Sequence, residues 1–389
     1  MNDLFLDFGY KSLTKYNETL CGDHIEHIHN ENSEIFVLAD GLGSGVKASI
    51  LATLTSKIIS TMMAHGMEIT DCIETVAKTL PTCKTRDLAY STFTMIRFVE
   101  NDEVEIIQYD NPSVILIRNN EYYDFYKTEM LFEERRVFHS RIKIQVNDLF
   151  VAFSDGCLYA GVGNEFNFGW QKENIINFVK EYNKFGYNAK TLVKLLLDKC
   201  DELYGYKPGD DCSSLIVKVI ERQQVNLLIG PPKNKFDNDR MMSLFFAKNG
   251  KKIICGGTTS QLAANYLNQE LRVSLDYDFP SIPPVASIEG VDLVTEGVIT
   301  INQVLNYTKD FLDDNKYYVV WTKSKDAASK ITRILIDEAT DINFYVGKAI
   351  NPAHQNVDLP ISFSIKMQLV EELAGCLRKI GKTVKVSYF

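Results

Sequence analysis

The first clear pattern is "EIFVLAD" at residues 34–40, apolar without interruption from Ile35 to Ala39 and ending on Asp40. An unbroken apolar run of this length predicts a buried strand. From Val46 to Ala64 the apolar residues fall at 46, 50, 51, 54, 58, 59, 62 and 63, which is helical spacing with a wide apolar face. A second helix is predicted over 69–80. Strands are predicted at 91–98, 103–109 and 113–118, with Asn101-Asp102 and Asn119-Asn120 as the turn signals. Another strand covers 148–156, two helices cover 171–182 and 188–203, and a strand closes the region at 212–220. Hairpin-spaced strands with two helical layers predict an α+β sandwich rather than a parallel βαβ sheet.

After "ERQQ" at 221–224 the rhythm changes. "VNLLIG" reads as a strand, followed by a helix near 237–247 and a strand-loop-helix over 251–267. "PSIPPV" at 280–285 reads as a break, 317–322 as a buried strand, and 325–339 and 364–380 as helices. The expected division is a first domain over 1–222 and a smaller α/β domain over 226–389. There is no internal repeat and no low-complexity stretch.

Composition narrows the classes. Of 389 residues, 45% are hydrophobic and 24% charged, enough for real cores. The formal net charge of -9 argues against nucleic acid as a partner, since a phosphate backbone wants a basic face. No apolar run reaches membrane-spanning length. The first residues carry acids early and lack the basic-then-apolar order of a signal peptide, so a cytoplasmic location is expected. Cysteines 21, 72, 83, 157, 200, 212, 255 and 376 are scattered without a CxxC pair, and reduced thiols are expected.

The candidate chemistry begins at "FVLADGLGSGVKAS", residues 36–49. Strand, Gly-rich turn and helix suggest a phosphate cradle. The P-loop spacing fails, because Ala48 stands where Ser or Thr should follow Lys47. The dinucleotide spacing fails too, with glycines at 41, 43 and 45. A carboxylate at the strand end would repel a bare phosphate, but it suits a divalent cation lying between them. The alternative is an ordinary strand-to-helix turn. The form recurs, however: "FVAFSDG" ends on Asp155-Gly156, "KPGDDCSSLIV" places Asp210 and Asp211 before a strand, and Asp23 stands in a turn before "EIFVLAD". Carboxylates gathered at strand ends need cations to offset their repulsion. Together they suggest a two-metal site that binds phosphate and activates water.

At these residues the chain resembles the metal-dependent phosphatases of the protein phosphatase 2C superfamily, in the branch typified by stage II sporulation protein E. The matching pieces over residues 15–222 are Gly22-Asp23, "ADGLGSGVKA", "TRDLAYSTF", "DNPSVILIRNNE", "FSDGCLYAG" and "GDDCSSLIV". Ser213 stands where the family commonly has threonine, and 128–147 offers no landmark. The resemblance implies an αββα sandwich with two Mn²⁺ or Mg²⁺ ions at one end. It implies that Asp40 bridges the ions, with the carbonyl of Gly41 beside it. It implies that Asp155 and Asp210 complete the shell of the second ion, and that Asp23 holds metal-bound water or touches the first ion. Asp210 and Asp211 remain alternatives, with the motif aligning on Asp210. The implied reaction is attack of a metal-bridging hydroxide on phosphoserine or phosphothreonine of a bacterial signalling phosphoprotein, an anti-sigma antagonist by analogy.

Other residues carry weaker readings. His24, His27 and His29 read as a metal cluster or a solvated hairpin. Lys47 could reach a phosphate or face solvent. Arg86 and Asp87 suggest an ion pair, and Cys157 either an oxidation-sensitive thiol or an inert apolar residue. In the second domain Gly256, Gly257, Thr258 and Thr259 could bind an anion at a helix N-terminus, or Thr258, Thr259 and Ser260 could simply be N-caps. Asp292 and Glu296 fall on a strand-turn with no assigned chemistry. That domain is left with three roles: sensing a ligand, recruiting the phosphoprotein, or forming a homodimer. Two further functions stay open, a catalytically degenerate phosphatase-fold module acting through partner binding and a C-terminal ligand sensor controlling the phosphatase.

Overall fold

The apolar run at 35–39 forms the centre of a nine-residue strand, Ser33–Gly41. Its odd and even positions serve two different cores. Ile35, Val37 and Ala39 pack beneath helices, whereas Phe36 and Leu38 pack between two sheets. This double burial is why the strand lacks a polar face. The same period of two puts Asp40 on the inter-sheet side, at the end of the strand.

In a computed structural model the described residues are 4–30, 32–79, 82–83, 88–89, 91–132, 135–273, 286–313, 315–349 and 362–389. The Arg86–Asp87 pair and the break at 280–285 lie outside them. The chain forms two compact units, Met1–Glu221 and Arg222–Phe389.

In the first unit, β1 (Leu4–Leu13), β2 (Asp23–His29) and β3 (Ser33–Gly41) precede helices α1 (Gly45–Ala64) and α2 (Ile69–Thr79). A short pair, β4 (Thr82–Cys83) and β5 (Leu88–Ala89), follows. Then come β6 (Ser91–Val99), β7 (Glu103–Tyr109), β8 (Ile115–Arg118), β9 (Glu121–Tyr123), β10 (Thr128–Phe132) and β11 (Arg135–Lys143). β12 (Leu149–Phe153) leads into the one-turn helix α3 (Asp155–Leu158), followed by α4 (Gln171–Asn183), α5 (Ala189–Leu203) and β13 (Cys212–Glu221).

One sheet has the order β1-β13-β12-β8-β9 and the other β10-β11-β7-β6-β3-β2. Phe36, Leu38, Phe98, Phe150, Leu215 and Val217 fill the space between the sheets. α1 and α2 cover the six-stranded sheet, and α4 and α5 cover the five-stranded one. The expected αββα sandwich is therefore observed. Asp23 opens β2 rather than lying in a turn, and β1, β10 and β11 are strands that the sequence pattern did not single out.

The second unit contains β14 (Gln224–Ile229), α6 (Asn238–Phe246), β15 (Lys251–Cys255), α7 (Gly257–Leu267), β16 (Arg272–Val273), β17 (Ala286–Ser287) and β18 (Leu293–Thr295). Helices α8 (Val298–Leu312), α9 (Tyr318–Lys323) and α10 (Ala327–Arg333), strand β19 (Asp341–Val346), helix α11 (Ser362–Lys379) and β20 (Thr383–Tyr388) complete it. The sheet order is β16-β17-β18-β15-β14-β19-β20, and β18, β15, β14, β19 and β20 run parallel. α8, α10 and α11 pack on one face and α6 and α7 on the other, so the smaller unit is a doubly wound α/β domain.

The expected strand at 317–322 is instead helix α9. Val319 and Val320 are exposed while Trp321 is buried and meets Tyr318 edge-on at 4.9 Å. Burial therefore follows a spacing of three, and the β-branched pair faces solvent. α8 was masked in the sequence by Val298, Ile299, Thr300 and Ile301, which are poor helix formers. Burial of Ile301, Val304, Leu305 and Phe311 overrides that preference. No helix among the described residues is long and apolar enough to cross a membrane.

One buried ion pair ties the sandwich together. Arg118 at the end of β8 donates from Nε and a terminal nitrogen to both oxygens of Asp148, at 2.8 and 2.7 Å. The Asp148 side chain has no solvent exposure. Arg118→Ala leaves that carboxylate buried and unpaired, and is expected to destabilise the first unit by about 3–5 kcal/mol. Urea unfolding of the whole chain measures it, as an earlier first transition.

Candidate active site

The ladder between β2 and β3 sets Asp23 directly opposite Asp40. The β12 and β13 ends of the other sheet bring Asp155, at the start of α3, and the Asp210-Asp211 pair to the same edge. These five carboxylates line one cavity of about 540 Å³, together with Lys15, Ser91, Thr92, Asp110, Asn111 and Tyr159.

Ser154 fastens the two sheets where they meet. Its hydroxyl donates to Asp23 Oδ2 at 2.8 Å and accepts from the Ser213 N–H at 2.9 Å. Ser213 Oγ in turn lies 2.6 Å from Ser12 Oγ, so the serine in the usual threonine place keeps a hydroxyl in the network. Two glycines permit the close approach. A Cβ on Gly41 would lie 2.2 Å from the Ala48 carbonyl oxygen, and one on Gly156 would lie 2.1 Å from that of Asp211.

Burial drives the electrostatics. It raises the Asp40 carboxyl to about 9, helped by the charges of Asp23, Asp155, Asp210 and Asp211. Asp23 is raised to about 7, again mainly by burial, against the lowering effect of its serine hydrogen bonds. Asp155 is raised by burial and by Asp210, and shares a hydrogen bond with Asp40.

The adjacent acids differ. Asp210 is half-exposed, sits 3.7 Å from Lys15 Nζ and acts on the charge of Asp155. Asp211 is buried, with Oδ1 accepting from the Lys15 backbone N–H at 2.9 Å. Its Oδ2 is buried without a partner. An orphaned carboxylate oxygen and a wall of hard oxygen donors suit Mg²⁺ or Mn²⁺ chemically. Among the described residues no group of three or more acidic, His or Cys side chains is placed to hold a metal ion as the side chains stand, so these carboxylates would have to draw together around one.

The remaining candidates lie elsewhere. Lys47 is exposed on α1 and outside the cavity lining. His24 pairs with Glu26, and His27 and His29 with Glu34, while His27 stacks on Phe36 at 4.6 Å. Cys157 is fully buried, with Sγ donating to the Ser213 carbonyl at 3.6 Å. Cys21, Cys72, Cys157, Cys200, Cys212, Cys255 and Cys376 are free thiols. In the second unit Gly256 is the N-cap of α7 at φ 111°, so Thr258 and Thr259 lie inside the helix rather than at its cap. Asp292 accepts from the Lys252 N–H at 2.7 Å, and Glu296 is exposed. The sequence reading missed Lys15, Asp110, Asn111 and Ser154 as parts of the site. "DNPSVIL" contains two of them, but nothing in its pattern assigns a role.

Residues 30–220 match the family model of stage II sporulation protein E (SpoIIE). This stretch is a SpoIIE-like member of the protein phosphatase 2C superfamily. Similar solved structures include the PP2C phosphatase domain with a regulatory-domain fragment of SpoIIE from Bacillus subtilis. It is 15% identical over 57% of this chain and 65% of that one, with a TM-score of 0.48. A second crystal form of the SpoIIE phosphatase domain from Bacillus subtilis, without domain swapping, is 16% identical over 57% and 95%, with a TM-score of 0.43. The RsbU and RsbW domains of Rv1364c from Mycobacterium tuberculosis are 12% identical over 56% and 62%, with a TM-score of 0.45. The chain thus spans 65% of the first of these structures. No curated protein matches it.

Raised carboxylates give the SpoIIE-like domain a defined pH response. Asp23 and Asp40 bind their protons more tightly folded than unfolded. Between about pH 4, the unfolded value, and about pH 9 the native state therefore holds more protons, and metal-free stability falls as pH rises. Thermal melting in chelator is expected to show a Tm declining across that interval, and Asp40→Asn to flatten the decline. Gly156→Ala should cost about 1–3 kcal/mol through overpacking against Asp211, read in the same melts.

Proposed function

We propose that the first unit is a Mn²⁺- or Mg²⁺-dependent protein phosphatase acting on phosphoserine or phosphothreonine. The observation that carries this reading is the convergence of Asp23, Asp40, Asp155 and Asp210 from both sheets on one open cavity. Asp40 faces Asp23 across the ladder and shares a hydrogen bond with Asp155, so it would help to hold both ions. Asp155 and Asp210 would hold the second ion, and Asp23, fixed by Ser154, would orient the first. When bound, the ions would lower the pKa of water and neutralise the phosphoryl charge.

The chain's own residues supply the rest. Six aspartates line the cavity, and those that are ionised repel a phosphate dianion until their charge is met. Lys15 adds a cation at the Asp210 side. Asp211 holds the Lys15 backbone in place. A protein as substrate class, rather than a small metabolite, rests on the family resemblance, and so does a regulatory phosphoprotein as partner.

Purified protein is expected to hydrolyse a small aryl phosphate and a phosphoserine peptide with Mn²⁺ and to stop with chelator. Asp155→Asn should lower kcat/KM by at least about 100-fold, as loss of a metal ligand. Retained activity in that variant would remove Asp155 from the site. Binding of Mn²⁺ without turnover would favour the non-catalytic module.

A further inference from the structure

Beside Asp40, where Thr92 pairs with it across the β3–β6 ladder, the cavity wall is built from Ser91, Thr92, Asn111 and Pro112. Its hydroxyls are already used. Ser91 Oγ donates to the Asp40 carbonyl at 3.0 Å, and Thr92 Oγ1 donates to Asn111 Oδ1 at 3.0 Å. Lys15 is engaged with Asp210. Tyr159, also in the lining, is exposed. Asn111 differs from all of these: its Nδ2 is buried and has no partner. A buried amide donor left without an acceptor is costly, and such exceptions in a folded protein call for a reason.

The turn around Asn111 is tightly held. Asp110 takes a left-handed backbone conformation at φ 51°. Gln108 Nε2 donates to the Pro112 carbonyl at 2.8 Å. Asp110 and Asp155 line the same cavity as Asn111, and Asp110 adds to the raising of Asp155. Thr92 holds the oxygen end of the amide at 3.0 Å, and the broad χ2 well of asparagine lets the whole amide turn toward the cavity by giving up that one bond.

We propose that Asn111 Nδ2 donates to a non-bridging oxygen of the substrate's phosphoryl group. This inference rests on the phosphatase reading and adds a substrate-binding residue to it. A neutral donor fits the place. It offers N–H groups to an acceptor-rich anion without competing with cations for the acids.

Inorganic phosphate is the probe. Its affinity for the Mn²⁺-loaded full chain is measured by calorimetry, and kcat/KM is measured for the aryl phosphate and the phosphoserine peptide. Asn111→Leu keeps the volume and removes the donor. It should weaken phosphate binding about 10- to 100-fold, the range of a hydrogen bond to a charged group, and lower kcat/KM for both substrates by a similar factor. Mn²⁺ affinity should stay unchanged. Thr92→Val breaks the same Thr92–Asn111 bond but keeps the Asn111 donor, and should cost less than about threefold. Equal losses in the two variants would make Asn111 merely structural and overturn the proposal. So would unchanged phosphate affinity in Asn111→Leu, or a loss confined to the peptide. A wild-type protein that binds phosphate without turnover, and loses that binding in Asn111→Leu, would keep this inference while the phosphatase reading fails.

Discussion

Asp23 and Asp40 face each other across an antiparallel ladder inside the mouth of the sandwich. Directly opposed residues have Cβ atoms about 5 Å apart, where two like charges at an effective dielectric near 20 repel by roughly 3 kcal/mol. Asp155, Asp210 and Asp211 add to this from the other sheet. The fold tolerates the pair only if something positive sits there, either a proton or a metal ion. The high proton affinity of Asp40 and the proposed divalent-cation site would thus be two expressions of one constraint.

The surrounding structure holds the carboxylates where the conflict is greatest. Each sheet is buried on both faces, so the strands cannot slip register without moving apolar residues out of two cores at once. Ser154 links Asp23 to the second sheet, and Gly41 and Gly156 let backbones approach where any side chain would collide. Stability has been given up locally to keep charge concentrated, which is how functional sites commonly break the rules that the rest of a fold obeys.

Much of this was legible in the sequence. The 35–39 run and the 46–63 periodicity announced β3 and α1, and the repeated strand-then-Asp-Gly form pointed to Asp40 and Asp155. What stayed hidden depends on contacts between distant residues. Lys15 and Ser154 acquire roles only through Asp211 and Asp23, which lie far away in sequence. Asn111 shows its unmatched donor only once Thr92 has taken its oxygen. In the smaller unit, the β-branched residues of 317–322 and 298–301 suggested strands or turns where packing made helices. The doubly wound order of that unit emerged from pairing, not from any motif.

The most direct test of the carboxylate account is calorimetric titration of the full chain with Mn²⁺ near neutral pH, in two buffers of different ionisation enthalpy. Binding with net proton release, lost or much reduced in Asp40→Asn, is the predicted result, because the cation must displace the proton that Asp40 holds. No Mn²⁺ binding, or binding that releases no proton and is indifferent to Asp40, would contradict it.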